Sequence, residues 1–132
     1  MFFTSPSLKA IALNAATGEE LWRFDPEAFP GAPKSGTGRN RGVTYWEEGD
    51  DQRIFHFVKN RVYALDARTG EPVTAFGEGG FLDLRENLDV DPATASVEVT
   101  TPGIIFENNL IIASRVPEGY RSTPGHIRGF DA

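Results

Sequence analysis

The 132-residue sequence contains no cysteine, two histidines and one methionine. The lack of cysteine excludes disulfide bonds and thiolate chemistry within the chain. With only two imidazoles available, a histidine-rich metal site is not expected. Basic residues are also in deficit, because 13 Lys and Arg stand against 19 Asp and Glu and the formal net charge is −6. This charge balance differs from that of a nucleic-acid-binding domain, so DNA and RNA are not expected partners.

Long apolar runs are missing as well. No stretch approaches the ~18 apolar residues of a membrane-spanning helix, and the opening MFFTSPSLKA has neither the length nor the cleavage pattern of a signal peptide. Windows with helical apolar spacing that are also free of glycine and proline do not occur. The 14 glycines and nine prolines instead indicate a chain with many turns.

Short segments rich in β-branched and aromatic residues make up most of the remaining sequence. Turn sequences separate them, including KN and NN pairs in which asparagine tolerates a left-handed conformation. The pattern predicts an all-β fold with antiparallel hairpins at 10–24, 53–67 and 103–114. The predicted strands are 9–15, 43–46, 53–58, 61–67, 72–76, 103–107, 110–114 and 126–130.

An internal repeat is the strongest signal in the sequence. ALNAATGEELWRF at 12–24 and ALDARTGEPVTAF at 64–76 share seven of 13 positions at an offset of 52, and RGFDA at 128–132 resembles the start of a third copy. Each copy reads strand, turn, strand, with Gly18 or Gly70 free to take a positive φ in the turn. Coincidence between two similar hairpins is the alternative, but the matches include positions outside the turn. A period near 50 in an all-β chain is typical of four-stranded propeller blades.

The repeat predicts a partial β-propeller of about two to three four-stranded antiparallel blades. We expect a blade end at about 8–24, a blade at about 43–76 and an incomplete blade at about 97–132. Because propellers close with typically four to eight blades, the chain is expected to be part of a larger protein. Remaining blades or self-association would then cover its faces. Loops at 25–42 and 77–99 are expected on one face, where function tends to lie.

Several motifs resemble the pyrroloquinoline quinone (PQQ)-dependent dehydrogenases, most closely their membrane-type glucose dehydrogenase branch. The pattern A-x-D/N-x-x-T-G-x-x-x-W fits 12–22, whereas Thr74 replaces the tryptophan in the second copy. The resemblance continues in order through NRGVTYW, FGEGG, DLR, TTPGIIFENNLIIAS and HIRGFDA. It implies roughly the first third of an eight-bladed catalytic propeller, in which Trp22 docks between neighbouring blades.

The same resemblance implies a set of site residues. Arg41 would bind a carboxylate of PQQ, Thr100 would hydrogen-bond the quinone, and Thr37 lies where the family places a first cofactor contact. Glu118, 18 residues after Thr100, would bind Ca²⁺ or Mg²⁺, which prefer carboxylate oxygens. Arg41, Thr100 and Glu118 each have a structural alternative: a solvated loop arginine, an edge-strand threonine and a glutamate in a surface turn. Thr37 stands where the family's branches have a histidine or a pair of cysteines, so the sequence departs from the family pattern at this position. His56, within a predicted strand, is interpreted as structural.

The implied enzyme oxidises a sugar or alcohol C–OH with PQQ and passes electrons to a respiratory acceptor such as ubiquinone or cytochrome c. By resemblance it would be periplasmic. The family's catalytic base lies further along the full chain, so this chain is expected to hold part of a cofactor site and to be inactive alone. Two alternatives stay open: a non-catalytic propeller that binds proteins in envelope assembly, and a small independent β-domain. The NRG motif and the spacing of Thr100 and Glu118 favour the enzyme.

Overall fold

The computed structural model describes residues 1–29, 31–32, 34, 36–120 and 122–132. These residues form an all-β structure with one short 3₁₀ helix, Pro26–Ala28. No helix among them is long and apolar enough to cross a membrane. The strands are β1 Phe2–Thr4, β2 Ala10–Leu13, β3 Glu20–Phe24, β4 Thr44–Glu48, β5 Asp51–Val58, β6 Arg61–Asp66, β7 Phe81–Asp83, β8 Ile104–Phe106, β9 Asn109–Ala113 and β10 Ile127–Asp131.

The strands form three antiparallel sheets in chain order: β1-β2-β3, β4-β5-β6-β7 and β8-β9-β10. Each of the three predicted hairpins is present, as β2 with β3, β5 with β6, and β8 with β9. The first strands of the second and third sheets, β4 and β8, meet where the Thr44 hydroxyl donates to the Gly103 carbonyl at 2.8 Å. Sheets of three to four antiparallel strands stacked in sequence confirm the prediction of an all-β partial propeller.

Two strand predictions need correction. The first sheet also contains β1, which was not predicted because its three residues are too few to show alternation. The fourth strand of the second sheet is β7, not 72–76 as predicted. Pro72 lacks an N–H and makes only an isolated bridge to Leu65. A turn follows in which the Phe76 amide donates to the Val73 carbonyl at 2.9 Å, so the chain returns to β6 only at Phe81.

The two sequence repeats fold into the same hydrogen-bonded turn. In the first copy the Gly18 amide donates to the Asn14 carbonyl, and in the second the Gly70 amide donates to the Asp66 carbonyl, both at 2.8 Å. Gly18 and Gly70 have φ values of 76° and 75°. The shared letters therefore encode a shared backbone conformation.

Trp22 joins the first sheet to the second, as predicted. Its side chain is buried, and its Nε1 donates to the Ala67 carbonyl at 3.1 Å. A Cβ on Gly70 would lie 2.6 Å from two carbons of the indole, so the indole packs directly against this glycine. Ile54 and Tyr63 share the same buried cluster.

The second and third sheets are joined by different residues. Thr74, at the position equivalent to Trp22, is exposed. Phe76 is buried instead, with its ring centroid 5.3 Å from that of Phe55. Arg53 donates to the carbonyl of Ala132 at 3.0 Å. Ala132 occupies in the third copy the position that Ala67 occupies in the second. At the second interface the arginine therefore donates to the carbonyl equivalent to the one that the indole binds at the first.

Candidate functional site

The predicted site residues all lie in connections at one end of the sheets. Strands β4 and β8 are each the first strand of their sheet. Arg41 and Thr100 precede these strands and therefore lie at the same end of the two sheets. The antiparallel strand β9 ends beside the start of β8, at the register pair Ile104 with Ile111. Glu118 follows β9 in the connection to β10 and therefore lies at this end as well.

The loop that carries Thr37 and Arg41 is fixed to the first sheet. The Gly38 amide donates to the Pro6 carbonyl at 3.1 Å. The Leu8 side chain packs so closely on Gly38 that no Cβ would fit there. The carbonyl oxygen of Leu8 lies in turn 2.7 Å from Nε2 of His56.

His56 holds Leu8, and through it the loop, in place. Its ring is fully buried, and burial lowers its pKa to about 4. The imidazole is therefore neutral at pH 7, so Nε2 carries the proton when it donates to the Leu8 carbonyl. This geometry agrees with the structural role predicted for His56.

Three adjoining surface depressions share lining residues and are here together called the arginine cleft. The central depression has a volume of about 480 Å³, and Arg39 lies between it and a second one of about 430 Å³ that contains Arg41. Glu98 and Arg115 join the central depression to a third, of about 280 Å³. The residues lining the cleft are Thr4, Ser5, Pro6, Thr37, Gly38, Arg39, Asn40, Arg41, Ser96, Glu98, Arg115, Val116 and Pro117.

Positive charge dominates this cleft although the chain is acidic overall. Three arginines face one carboxylate, that of Glu98. Within the described part of the chain, the guanidinium groups of Arg39 and Arg41 have no hydrogen-bond or ion-pair partner. Arg115 contacts Glu98 at 3.4 Å, and both side chains are largely exposed, 68% and 42%. An exposed pair of this kind contributes little stability, so these cations are available to a ligand.

The structure places only some predicted residues in the cleft. Thr37 and Arg41 line it. Thr100 is half-buried and follows Val99, whose amide donates to the Lys59 carbonyl at 2.8 Å, but it does not line the cleft. Glu118 is exposed and lies one residue beyond Pro117, at the far end. Arg41 and Thr37 therefore line adjoining depressions, whereas Thr100 and Glu118 are outside the lining.

The described residues do not by themselves form a metal site. Across 1–29, 31–32, 34, 36–120 and 122–132, no three His, Cys, Asp or Glu side chains come together as ligands. Ca²⁺ takes about six to eight oxygen ligands. Glu118 could contribute to that number but could not complete it.

Sequence reasoning missed Glu98 and did not assign a role to Arg39 or Arg115. The backbones of Glu98 and Arg115 pair in both directions, at 2.9 and 2.7 Å, which brings the two side chains together. Each lies two or three residues before a predicted site residue, Thr100 or Glu118. The sequence signal for both was a charged residue two or three positions before a predicted site residue.

The arrangement is suited to binding an anion. A planar guanidinium matches a carboxylate through two parallel hydrogen bonds, and several cations along one cleft favour a ligand with more than one carboxylate. PQQ, with its three carboxylates, fits this chemistry. The described lining residues include no histidine and a single carboxylate, so the cleft can hold and orient such a group, but it offers no evident acid and base pair.

Comparison with known proteins gives a consistent result. Residues 1–132 match the family described as PQQ glucose/ethanol/alcohol dehydrogenase, beta-propeller domain. The chain is 29% identical to quinoprotein glucose dehydrogenase A of Acinetobacter calcoaceticus and 30% identical to quinoprotein glucose dehydrogenase of Escherichia coli. Each match covers 99% of the present chain. It is 30% identical over its whole length to the glycerol dehydrogenase large subunit of Gluconobacter oxydans.

The chain spans about a fifth of the length of these relatives, 19%, 18% and 19% respectively. Among solved structures, it resembles a quinohemoprotein alcohol dehydrogenase from Pseudomonas putida with a TM-score of 0.69 over 99% of this chain and 17% of that one. At 20% sequence identity, this match supports the fold alone.

Proposed function

The chain belongs to the β-propeller family of PQQ-dependent glucose, ethanol and alcohol dehydrogenases, and we propose that it forms the part of a catalytic propeller that binds the carboxylate side of PQQ. The observation that carries this proposal is the arginine cleft. Two guanidinium groups without partners and a third that is weakly paired line this cleft in a chain of net charge −6. Arginines without partners add no contact that stabilises the fold, whereas they are well suited to bind an anionic ligand.

We assign the main contact to Arg41. Its guanidinium would form a bidentate pair with one carboxylate, while Arg39 and Arg115 would attract the others through the cleft. Charge-assisted hydrogen bonds of this type contribute about 1.5–3 kcal/mol each. Thr37 would add a hydroxyl contact within the cleft, and Thr100 would donate or accept at its margin.

When bound, PQQ supplies the two-electron acceptor for oxidation of a substrate C–OH. The residues of this chain would bind it and fix its orientation. Glu118 would contribute one oxygen to a Ca²⁺ or Mg²⁺ ion whose other ligands come from outside the described residues. The acid–base groups of the reaction are likewise proposed to lie outside this chain.

For the whole protein we propose oxidation of a sugar or alcohol, with electrons passed to a respiratory acceptor such as ubiquinone or cytochrome c in the periplasm. The family match over the full chain and the names of the relatives support this class of reaction. We do not assign a particular sugar or alcohol.

Reconstitution of the full-length protein tests the proposal. The apoprotein would be incubated with PQQ and Ca²⁺ or Mg²⁺, and reduction of an artificial dye would be followed with glucose, glycerol and ethanol. We expect dye reduction with at least one substrate, dependent on both PQQ and the cation. If the folded protein neither binds PQQ nor reduces dye with any substrate, the enzyme assignment is wrong and a non-catalytic propeller is favoured.

A further inference from the structure

Asn40 lies between the two unpartnered arginines of the cleft and is tied to both neighbouring sheets. Its Nδ2 donates to the carbonyl of Phe57 in β5 at 2.6 Å. Its Oδ1 lies 3.5 Å from the hydroxyl of Thr4, which belongs to β1 in the first sheet. A side chain in the loop thus bridges the two sheets that border it.

The same amide also shapes the backbone on either side of Arg41. Asn40 Oδ1 accepts the Gly42 amide at 2.8 Å, which closes a turn around Arg41. Gly42 has φ +124°, a conformation that side chains rarely adopt, so the turn depends on this Asn and Gly pair. Because hydrogen bonds hold its neighbours on both sides, the backbone from which Arg41 projects its side chain is restrained.

Arg41 itself has no anchor. Its side chain is exposed, and within the described residues no partner holds it. Before a ligand arrives, what is held in place is therefore the backbone from which the side chain projects, and not the guanidinium itself. Asn40 is the residue whose hydrogen bonds do this, and Phe57, 1% exposed, gives them a rigid base.

We propose that Asn40 is a positioning residue, which pre-orients Arg41 so that its guanidinium meets the PQQ carboxylate without a cost in loop ordering. The inference rests on the proposed function, because it concerns how the same site achieves its affinity. Preorganisation raises affinity by removing ordering costs from the binding step. Asn40 touches no ligand in this proposal and acts only through Arg41.

A double-mutant cycle on the full-length apoprotein tests this, with the equilibrium dissociation constant for PQQ as the readout. We expect Asn40→Ala alone to weaken PQQ binding by about threefold to tenfold, the effect of one ordering hydrogen bond. In the Arg41→Ala background the same change should weaken binding by less than about twofold, because the group it positions is gone. A role in general stability would weaken binding equally in both backgrounds.

Asn14→Ala is the matched control. Asn14 Oδ1 also accepts a backbone amide two residues on, that of Ala16 at 2.9 Å. Asn14 lies in the first repeat turn and does not line the cleft. We expect Asn14→Ala to lower thermal stability as Asn40→Ala does and to leave PQQ affinity unchanged. Asn40→Asp provides a second variant, since it keeps the acceptor for Gly42 and loses the donor to Phe57.

The outcomes separate the two proposals. If Arg41→Ala binds PQQ as tightly as the wild type, the proposed cofactor site fails. If Arg41→Ala weakens binding but Asn40→Ala does not, or does so equally in both backgrounds, only the positioning role is wrong. Failure of both Asn40 variants to fold would also overturn the positioning role, because Asn40 would then serve the fold itself.

Discussion

Replacement of Gly70 by alanine should destabilise the fold far more than replacement of Gly18, although the two glycines occupy the same turn. Their φ values are 76° for Gly18 and 75° for Gly70, and their amides make the same hydrogen bond. Alanine at either position would cost about 1–2 kcal/mol for its left-handed conformation. Only at Gly70 would the new methyl group meet another side chain, at 2.6 Å from Trp22, since nothing lies within 4 Å of a Cβ on Gly18.

The indole cannot easily retreat, because its Nε1 donates to Ala67 and its ring is buried against the second sheet. Overpacking of this kind costs about 1–3 kcal/mol, which Gly70→Ala should show in addition to the backbone cost. Chemical unfolding of the two single variants would give both free energies. In a Trp22→Leu background the excess should largely disappear. Equal costs for the two glycine variants, within about 0.5 kcal/mol, would refute the role assigned to this contact.

Two further predictions concern pH and association. Burial lowers the pKa of His56 from 6.5 to about 4, so the unfolded state binds the proton first as pH falls. The free energy of unfolding should therefore drop between about pH 6.5 and 4, by about 3 kcal/mol in total. His56→Gln should remove this loss and exposed His126→Gln should retain it in thermal unfolding scans; an unchanged pH profile in His56→Gln would contradict the assignment. Separately, Ile104, Phe106 and Ile127 lie on one face of the third sheet and are 65%, 63% and 75% exposed, so the chain should self-associate. Phe106→Lys should reduce this association in sedimentation velocity, and a wild-type chain that stays monomeric at high concentration would count against it.

Much of the fold was predictable because the repeat can be recognised directly from identical residues in the sequence. The turns at Gly18 and Gly70 need Asn or Asp, Thr and Gly at fixed offsets, and sequence shows all of these. Trp22 was likewise identified by its place in the repeat. The fourth strand was misplaced because VTAF at 73–76 has the composition of a strand, whereas the adjacent proline removes a donor and a turn ends the pairing.

The site was less accessible to sequence reasoning. Arg41 and Thr37 were found because they lie in one motif-bearing loop. The cleft also depends on Glu98 and Arg115, which lie 17 residues apart in the chain and are brought together by an isolated antiparallel bridge. No local pattern encodes that contact. The anchoring of Asn40 to Phe57 similarly depends on how the loop packs on β5, which only the folded chain shows.

We propose above all that the arginine cleft binds the carboxylate side of PQQ through Arg41. Equilibrium titration of the full-length apoprotein with PQQ tests it most directly, with Arg41→Ala compared against wild type and Arg23→Ala. Arg23 is an exposed arginine on β3, paired with Glu20 and outside the cleft. We predict that Arg41→Ala raises the dissociation constant by roughly tenfold to more than a hundredfold, while Arg23→Ala leaves it unchanged. The same affinity for PQQ in all three proteins would contradict the account.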